Sequence, residues 1–206
     1  MTIWSVVAII VAYLCGSIPF GVIVARLYGI DVLASGSGRT GGTNVLRSAG
    51  PLAAGLTVLG DVMKGLIPIF FIQIAFSPLT VALAMPAAVL GHNFSIFLGF
   101  RGGVGAGTAV GTVGGINFWA GLMVAICGLL GLAFTRYASI LSTSVAVSSV
   151  IVLTIGALLG LTPYIYILGS VMTMLVMFYA LRENFARIRA GTERKVGQKT
   201  ENIAKI

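Results

Sequence analysis

Long apolar runs constrain this chain more than any other feature. They can be marked at about residues 3–25, 51–75, 79–98, 108–134, 138–160 and 163–181. A helix needs about 20 apolar residues to cross the hydrocarbon layer of a bilayer. Charged residues make up only 9% of the sequence and hydrophobic residues 58%, with a mean hydropathy of +1.06. A soluble domain is roughly a quarter charged, so most of this surface faces lipid. The fold class expected is an all-α integral membrane protein. The net charge of +8 would suggest nucleic acid in a soluble chain. Here the basic residues sit between apolar runs and in the tail, as the positive-inside rule describes, and no nucleic-acid partner is expected. Cys15 and Cys127 lie inside apolar runs and read as small buried residues. With one histidine and no cysteine cluster, a metal site of ordinary ligand count is hard to build. The first run has no basic residue before it and Arg26 after it, so it reads as a retained helix rather than a signal peptide.

Charge and parity give a topology. The uncharged turns at 76–78 and 160–163 should lie outside, and the basic segments 26–50 and 182–206 inside. If the amino terminus is outside, three spans bring the chain inside near Arg101. A single span over 108–134 would then leave Arg136 and the basic tail outside. The conflict disappears if 108–134 crosses twice or dips and returns, and Gly111, Gly114, Gly115 and Asn117 supply a break. The expectation is about seven transmembrane segments, one short or broken, with the amino terminus out and the carboxyl terminus in. Residues 1–197 form one transmembrane domain, and 198–206 a basic cytoplasmic tail.

Three polar stretches interrupt the apolar pattern. Residues 35–47 combine Gly36, Gly38, Gly41 and Gly42 with Ser37, Arg39, Thr43, Asn44 and Arg47. Glycines let backbone amides approach an anion, and arginine forks suit phosphate oxygens. A flexible surface linker is the plainer reading, but linkers rarely mix so many glycines, donors and arginines. No Gly-Lys-Ser/Thr ending is present, so this is not a Walker loop. Residues 91–108 hold His92, Arg101, Gly102, Gly103 and Gly105. They read either as a second anion cradle or as close helix packing by small residues. His92, near the cytoplasmic end of its span, is either a functional ionisable group or one bonded to a neighbouring helix. Residues 182–197 carry Arg182, Asn184, Arg187 and further basic residues where the last span ends. Attraction to anionic lipid explains that charge but not Asn184 or the repeated glycines. Asp61 and Lys64, three apart on a helical face, read as a structural ion pair before a catalytic one. Ser139 and Ser142, after Arg136-Tyr137, add two hydroxyls on one face.

Taken in order, Gly16-Ser17-Ile18-Pro19-Phe20-Gly21, the 36–47 loop, Asp61…Lys64-Gly65, the 91–105 loop, Arg136-Tyr137…Ser139…Ser142 and the 182–197 tail resemble the bacterial acyl-phosphate:glycerol-3-phosphate acyltransferases. The resemblance runs from the first helix to Gly197. It implies a seven-helix enzyme of the inner (plasma) membrane that takes part in phospholipid synthesis. Such an enzyme moves a fatty acyl group from acyl phosphate to glycerol 3-phosphate and forms lysophosphatidic acid, without a cofactor. Carried over by position, Ser37, Thr43, Asn44, Arg47, His92, Ser142 and Asn184 would line the site, with Arg39, Arg101 and Arg182 as further substrate-binding groups. Gly36, Gly38, Gly102, Gly103 and Gly105 would hold phosphate. The family's usual pattern has asparagine at Arg39, lysine at Val104 and histidine at Leu181.

An acyl phosphate is a mixed anhydride, already activated, so the chemistry needs two anions positioned and a proton removed from the acceptor hydroxyl. His92 is the one side chain whose ordinary pKa lies near neutrality, and the acceptor's own phosphate is the alternative base. No serine or cysteine has a paired base, so a covalent acyl-enzyme is not expected. The competing readings are a transporter or binding protein for an anionic metabolite, and a non-catalytic relative. Against a transporter, no inverted repeat is visible and the basic residues cluster at one face.

Overall fold

The structure is a computed structural model that describes residues 1–198. Helix α1 (Ile3–Ser17) and α2 (Phe20–Leu27) form one apolar segment broken at Ile18-Pro19. Pro19 has no N–H, so the ladder stops there. The carbonyls at the break accept from side chains elsewhere in the chain: Ser95 Oγ, in the turn after Asn93, donates to Ser17 O at 2.6 Å and Lys64 Nζ to Ile18 O at 2.8 Å. An irregular loop, 28–41, leads to α3 (Gly42–Ala75), which is kinked where Gly50 adopts φ 87° ahead of Pro51. The piece after the kink is the apolar run expected from 51. The piece before it turns Thr43, Asn44 and Arg47 into helix, where the sequence suggested loop.

Helix α4 (Pro78–Asn93) is shorter than the apolar run 79–98. The chain leaves it through a tight turn in which Ser95 and Arg101 pair, and exposes Ile96, Phe97 and Phe100. Helices α5 (Ala106–Ile116) and α6 (Phe118–Thr135) divide the run 108–134 at Asn117. The Asn117 side chain caps α6 by accepting from Ala120 N at 3.0 Å. Helix α7 (Ala138–Leu158) follows, and α8 (Ile165–Arg189) continues well past the apolar limit at 181. Among the described residues, five segments are long and apolar enough to span a membrane: Ile3–Leu27, Gly42–Ala75, Phe118–Thr135, Ala138–Leu158 and Ile165–Arg189. Helices α4 and α5 are shorter.

The bundle is built around α4, which is buried along most of its length between α1 and α8. Its contact faces are small, with Ala82, Ala84 and Ala88 fully buried, so backbones approach closely as in membrane bundles generally. Helix α5 packs on α3 and α6, and α7 joins α6 to α8. The outer faces carry exposed Trp4, Ile10, Phe71, Trp119 and Ile151, the inverse of a soluble surface. The loop 28–41, the turn 94–105, the α6–α7 corner and the tail after α8 meet at one end of the bundle.

Candidate active site at one end of the bundle

Asn44 organises the first loop. Its Nδ2 donates to the carbonyls of Val32, Ser35 and Arg39 at 3.0, 3.0 and 2.9 Å, and its Oδ1 accepts from Ser37 N at 3.0 Å. The side chain is buried and its amide is fully engaged. It therefore shapes the loop rather than offering a free group to a ligand. Gly36 sits at φ 59° directly over Asn44 Oδ1, where any Cβ would overlap that oxygen.

The second glycine loop is draped over His92. Gly103 N donates to His92 O at 3.2 Å, and a Cβ on Gly103 would collide with His92 Nε2. On its other edge, His92 Nδ1 lies 3.5 Å from Asp61 Oδ1, which lies 2.7 Å from Lys64 Nζ. All three side chains are buried. The structural pair expected from the sequence thus exists, and it links α3 to α4 and to the α1–α2 break.

The end of α8 closes the site through residues far apart in sequence. Arg39 Nη1 donates to Asn184 Oδ1 at 2.8 Å and Nη2 to Ala180 O at 3.2 Å, with Glu183 3.5 Å away. Asn184 Nδ2 donates to Glu193 Oε1 at 2.7 Å, and Arg187 Nε to Glu193 Oε2 at 2.7 Å. The tail is fastened further along, by Arg194 Nη2 to Gly36 O at 3.3 Å and by Val196 N to Arg136 O at 2.7 Å. Burial lowers the Arg39 guanidinium from its ordinary value, with Glu183 opposing. Burial alone would raise the Glu193 carboxyl. The hydrogen bonds from Asn184 and Arg187, and the Arg187 charge, outweigh it and hold Glu193 below the ordinary carboxylate range.

These elements enclose a cavity of about 770 Å³. Ser37, Arg39, Thr43, Asn44, Arg47, His92, Gly103, Gly105, Ser142 and Asn184, all expected at a site, line it. Several others do not. Arg101 is exposed on the outer side of its turn, with Nε directed at Leu98 O. Arg182 is exposed and stacked 4.3 Å from the Tyr179 ring. Gly36, Gly38 and Gly102 are not among the lining residues, and Gly36 is exposed. The cations that do face the cavity include Arg187 and Arg194, which the sequence placed in the basic tail stretch but not among the site residues, and Glu193 is a carboxylate among them. Arg47 is distinctive: among the described residues its guanidinium has no carboxylate partner, and its Nε is buried without a hydrogen bond. Away from the charged end the wall becomes apolar, with Val62, Val110, Leu129, Leu141 and Val145. Val104 and Leu181 also line it and contribute no polar group.

A helical bundle with apolar outer faces, holding an arginine-rich pocket continuous with an apolar groove, is an integral membrane protein suited to an anionic head beside a hydrocarbon chain. Comparison with known sequences takes the class to a family. The family model described as glycerol-3-phosphate acyltransferase matches residues 6–191, and the chain belongs to that family. The chain is 41% identical over 191 residues to the glycerol-3-phosphate acyltransferase of Aromatoleum aromaticum (strain DSM 19018 / LMG 30748 / EbN1), covering 92% of this chain and 95% of that protein. It is 39% identical over 199 residues to that of Roseiflexus sp. (strain RS-1), covering 94% and 96%. A crystal structure of PlsY (YgiH), an integral membrane glycerol 3-phosphate acyltransferase in its glycerol 3-phosphate form, is similar with a TM-score of 0.86. It is 31% identical, with 94% of this chain and 96% of that chain covered. The lysophosphatidic acid form of PlsY gives a TM-score of 0.84. The chain is accordingly a membrane acyltransferase of phospholipid synthesis.

Proposed function

We propose that the enzyme transfers a fatty acyl group from acyl phosphate to a hydroxyl of glycerol 3-phosphate and releases lysophosphatidic acid and phosphate at the inner face of the cell membrane. The observation that carries this reading is Arg47, whose guanidinium has no carboxylate partner among the described residues and lies in a pocket that runs into an apolar groove. The pocket suits a phosphate and the groove a hydrocarbon chain. Ser37, Thr43 and Ser142 add hydroxyls on the same wall. The N–H groups that open α5, at Ala106 and Gly107, have no hydrogen-bond partner among the described residues, and both residues line the same cavity. They are suited to the oxygen that gains charge as the carbonyl is attacked.

The acceptor hydroxyl oxygen bonds to the acyl carbonyl carbon. The bond from that carbon to the bridging phosphate oxygen breaks, and phosphate leaves with the electron pair. The hydroxyl proton passes to His92 Nε2, whose ring is braced by Asp61 behind it. Residues 1–197 act as one domain with seven membrane segments, amino terminus out, in which α5 is the short segment. The break at Asn117 and the meeting of the basic connections at one end support this topology. Reporter tags at Phe76 and Gly160 are expected outside and tags at Gly38 and Arg136 inside, and an outside signal at Arg136 overturns it. Purified protein supplied with acyl phosphate and glycerol 3-phosphate should produce lysophosphatidic acid and phosphate in equal amounts. Binding without turnover would leave a non-catalytic relative, and movement of the anion across vesicles without acylation would indicate a transporter.

A further inference from the structure

Four guanidinium groups border the cavity, those of Arg39, Arg47, Arg187 and Arg194, against the carboxylates of Glu183 and Glu193. Asp61 and Lys64 deeper in the bundle cancel as a close pair. Arg39 lies 3.5 Å from Glu183, which Arg182 outside the cavity also approaches at 3.8 Å, and Arg187 lies 2.7 Å from Glu193. Two positive charges remain, Arg47 at the start of α3 and Arg194 on the tail. Neither has a carboxylate partner among the described residues. Arg194 is exposed, and its one hydrogen bond there is the 3.3 Å contact with Gly36 O, which sets it beside the first glycine loop. The second glycine loop contributes Val104 to the wall and no cation. A surplus of two positive charges matches a phosphate monoester, which carries close to two negative charges at neutral pH.

We propose that Arg194 is a second phosphate-binding residue for glycerol 3-phosphate, gripping from the tail the phosphate that Arg47 holds from α3. The inference rests on the cavity being the acceptor site. It gives the tail strap a direct role in recognition: the residue that closes over the first loop also supplies half of the surplus charge. Because Arg194 is exposed, its contact is screened by salt and contributes less than that of Arg47.

The test measures acylation with acyl phosphate in excess and glycerol 3-phosphate varied, for the unaltered enzyme and for Arg194→Gln, Arg194→Lys and Arg47→Ala. Glutamine keeps an N–H donor for Gly36 O but removes the charge. Arg194→Gln should raise the acceptor KM about fivefold at low salt with kcat little changed, and the difference should shrink as salt is added. Arg194→Lys should recover most of the loss. An unchanged KM in Arg194→Gln overturns the proposal, and so does a lysine variant as impaired as the glutamine one, since the loop contact rather than the charge would then matter. If Arg47→Ala raises KM and Arg194→Gln does not, only the assignment of Arg194 fails. If Arg47→Ala also leaves KM unchanged, the acceptor site itself is misplaced.

Discussion

Replacing Lys64 with methionine removes the cation 2.7 Å from Asp61 and one of the two donors to Ile18 O at the α1–α2 break. Methionine keeps a comparable chain length, so the loss is mainly electrostatic. Asp61 is then left with 6% side-chain exposure and only His92, 3.5 Å away, as a polar neighbour. Breaking one side of a buried pair destabilises by about 3–5 kcal/mol, because the remaining charge stays buried. For a chain of this size each kcal/mol moves the unfolding midpoint by roughly 2–4 °C, so a drop of about 6–20 °C is expected in thermal unfolding at fixed detergent. Adding Asp61→Asn removes the stranded charge. The double variant should therefore regain about half of that drop or more, a coupling of about 2 kcal/mol. A Lys64→Met midpoint within about 2 °C of the unaltered protein refutes the reasoning. So does a double variant whose losses simply add.

Asn44→Ala removes four hydrogen bonds that fold the first loop, so stability should fall by about 2–4 kcal/mol and the acceptor KM should rise with it, checked by unfolding and initial rates. Arg101→Ala and Arg182→Ala, on exposed groups outside the cavity, should leave kcat/KM within about twofold, measured in the acylation assay. Glu193 has a folded pKa below its ordinary 4.5, so the stability it contributes is complete above that value and is lost as pH falls through the depressed folded value. Unfolding midpoints of the unaltered protein and Glu193→Gln should differ by a constant amount at neutral pH and converge in acid. A gap that widens in acid contradicts the sign.

What the sequence made legible is what the bilayer imposes. The break inside 108–134 could be read because glycines cluster there and Asn117 is a ready helix cap, and the structure divides α5 from α6 at that residue. Helix ends were less legible, because hydropathy reports where lipid stops rather than where hydrogen bonding stops. Helix α8 runs on through Arg182 and Arg187 to Arg189, whose side chains suit a helix outside the hydrocarbon. Conversely, Ile96 and Phe97 extend the apolar pattern beyond α4 although they sit in a turn. At the site, residue type located the polar segments but could not say which way each side chain faces. Arg101 and Arg187 look alike in sequence, yet one points away from the cavity and the other into it. Asn44 looked like a ligand group because nothing local shows that three carbonyls converge on its amide. A search for anion-binding cations also passes over Glu193, whose value lies in aligning Asn184 and Arg187.

The link from Arg39 to Asn184 spans 145 positions of the chain. At translation speeds of about 5–20 residues per second, the ribosome needs on the order of ten seconds to connect its two ends. Throughout that interval the first loop has left the ribosome, while the groups that cover it are still to be made. The early helices can settle in the bilayer during this time, but the pocket stays unroofed and Arg39 lacks its partners Glu183 and Asn184. Assembly of the candidate site is thus a late event in the life of the nascent chain, set by the order of synthesis rather than by the insertion of any single helix.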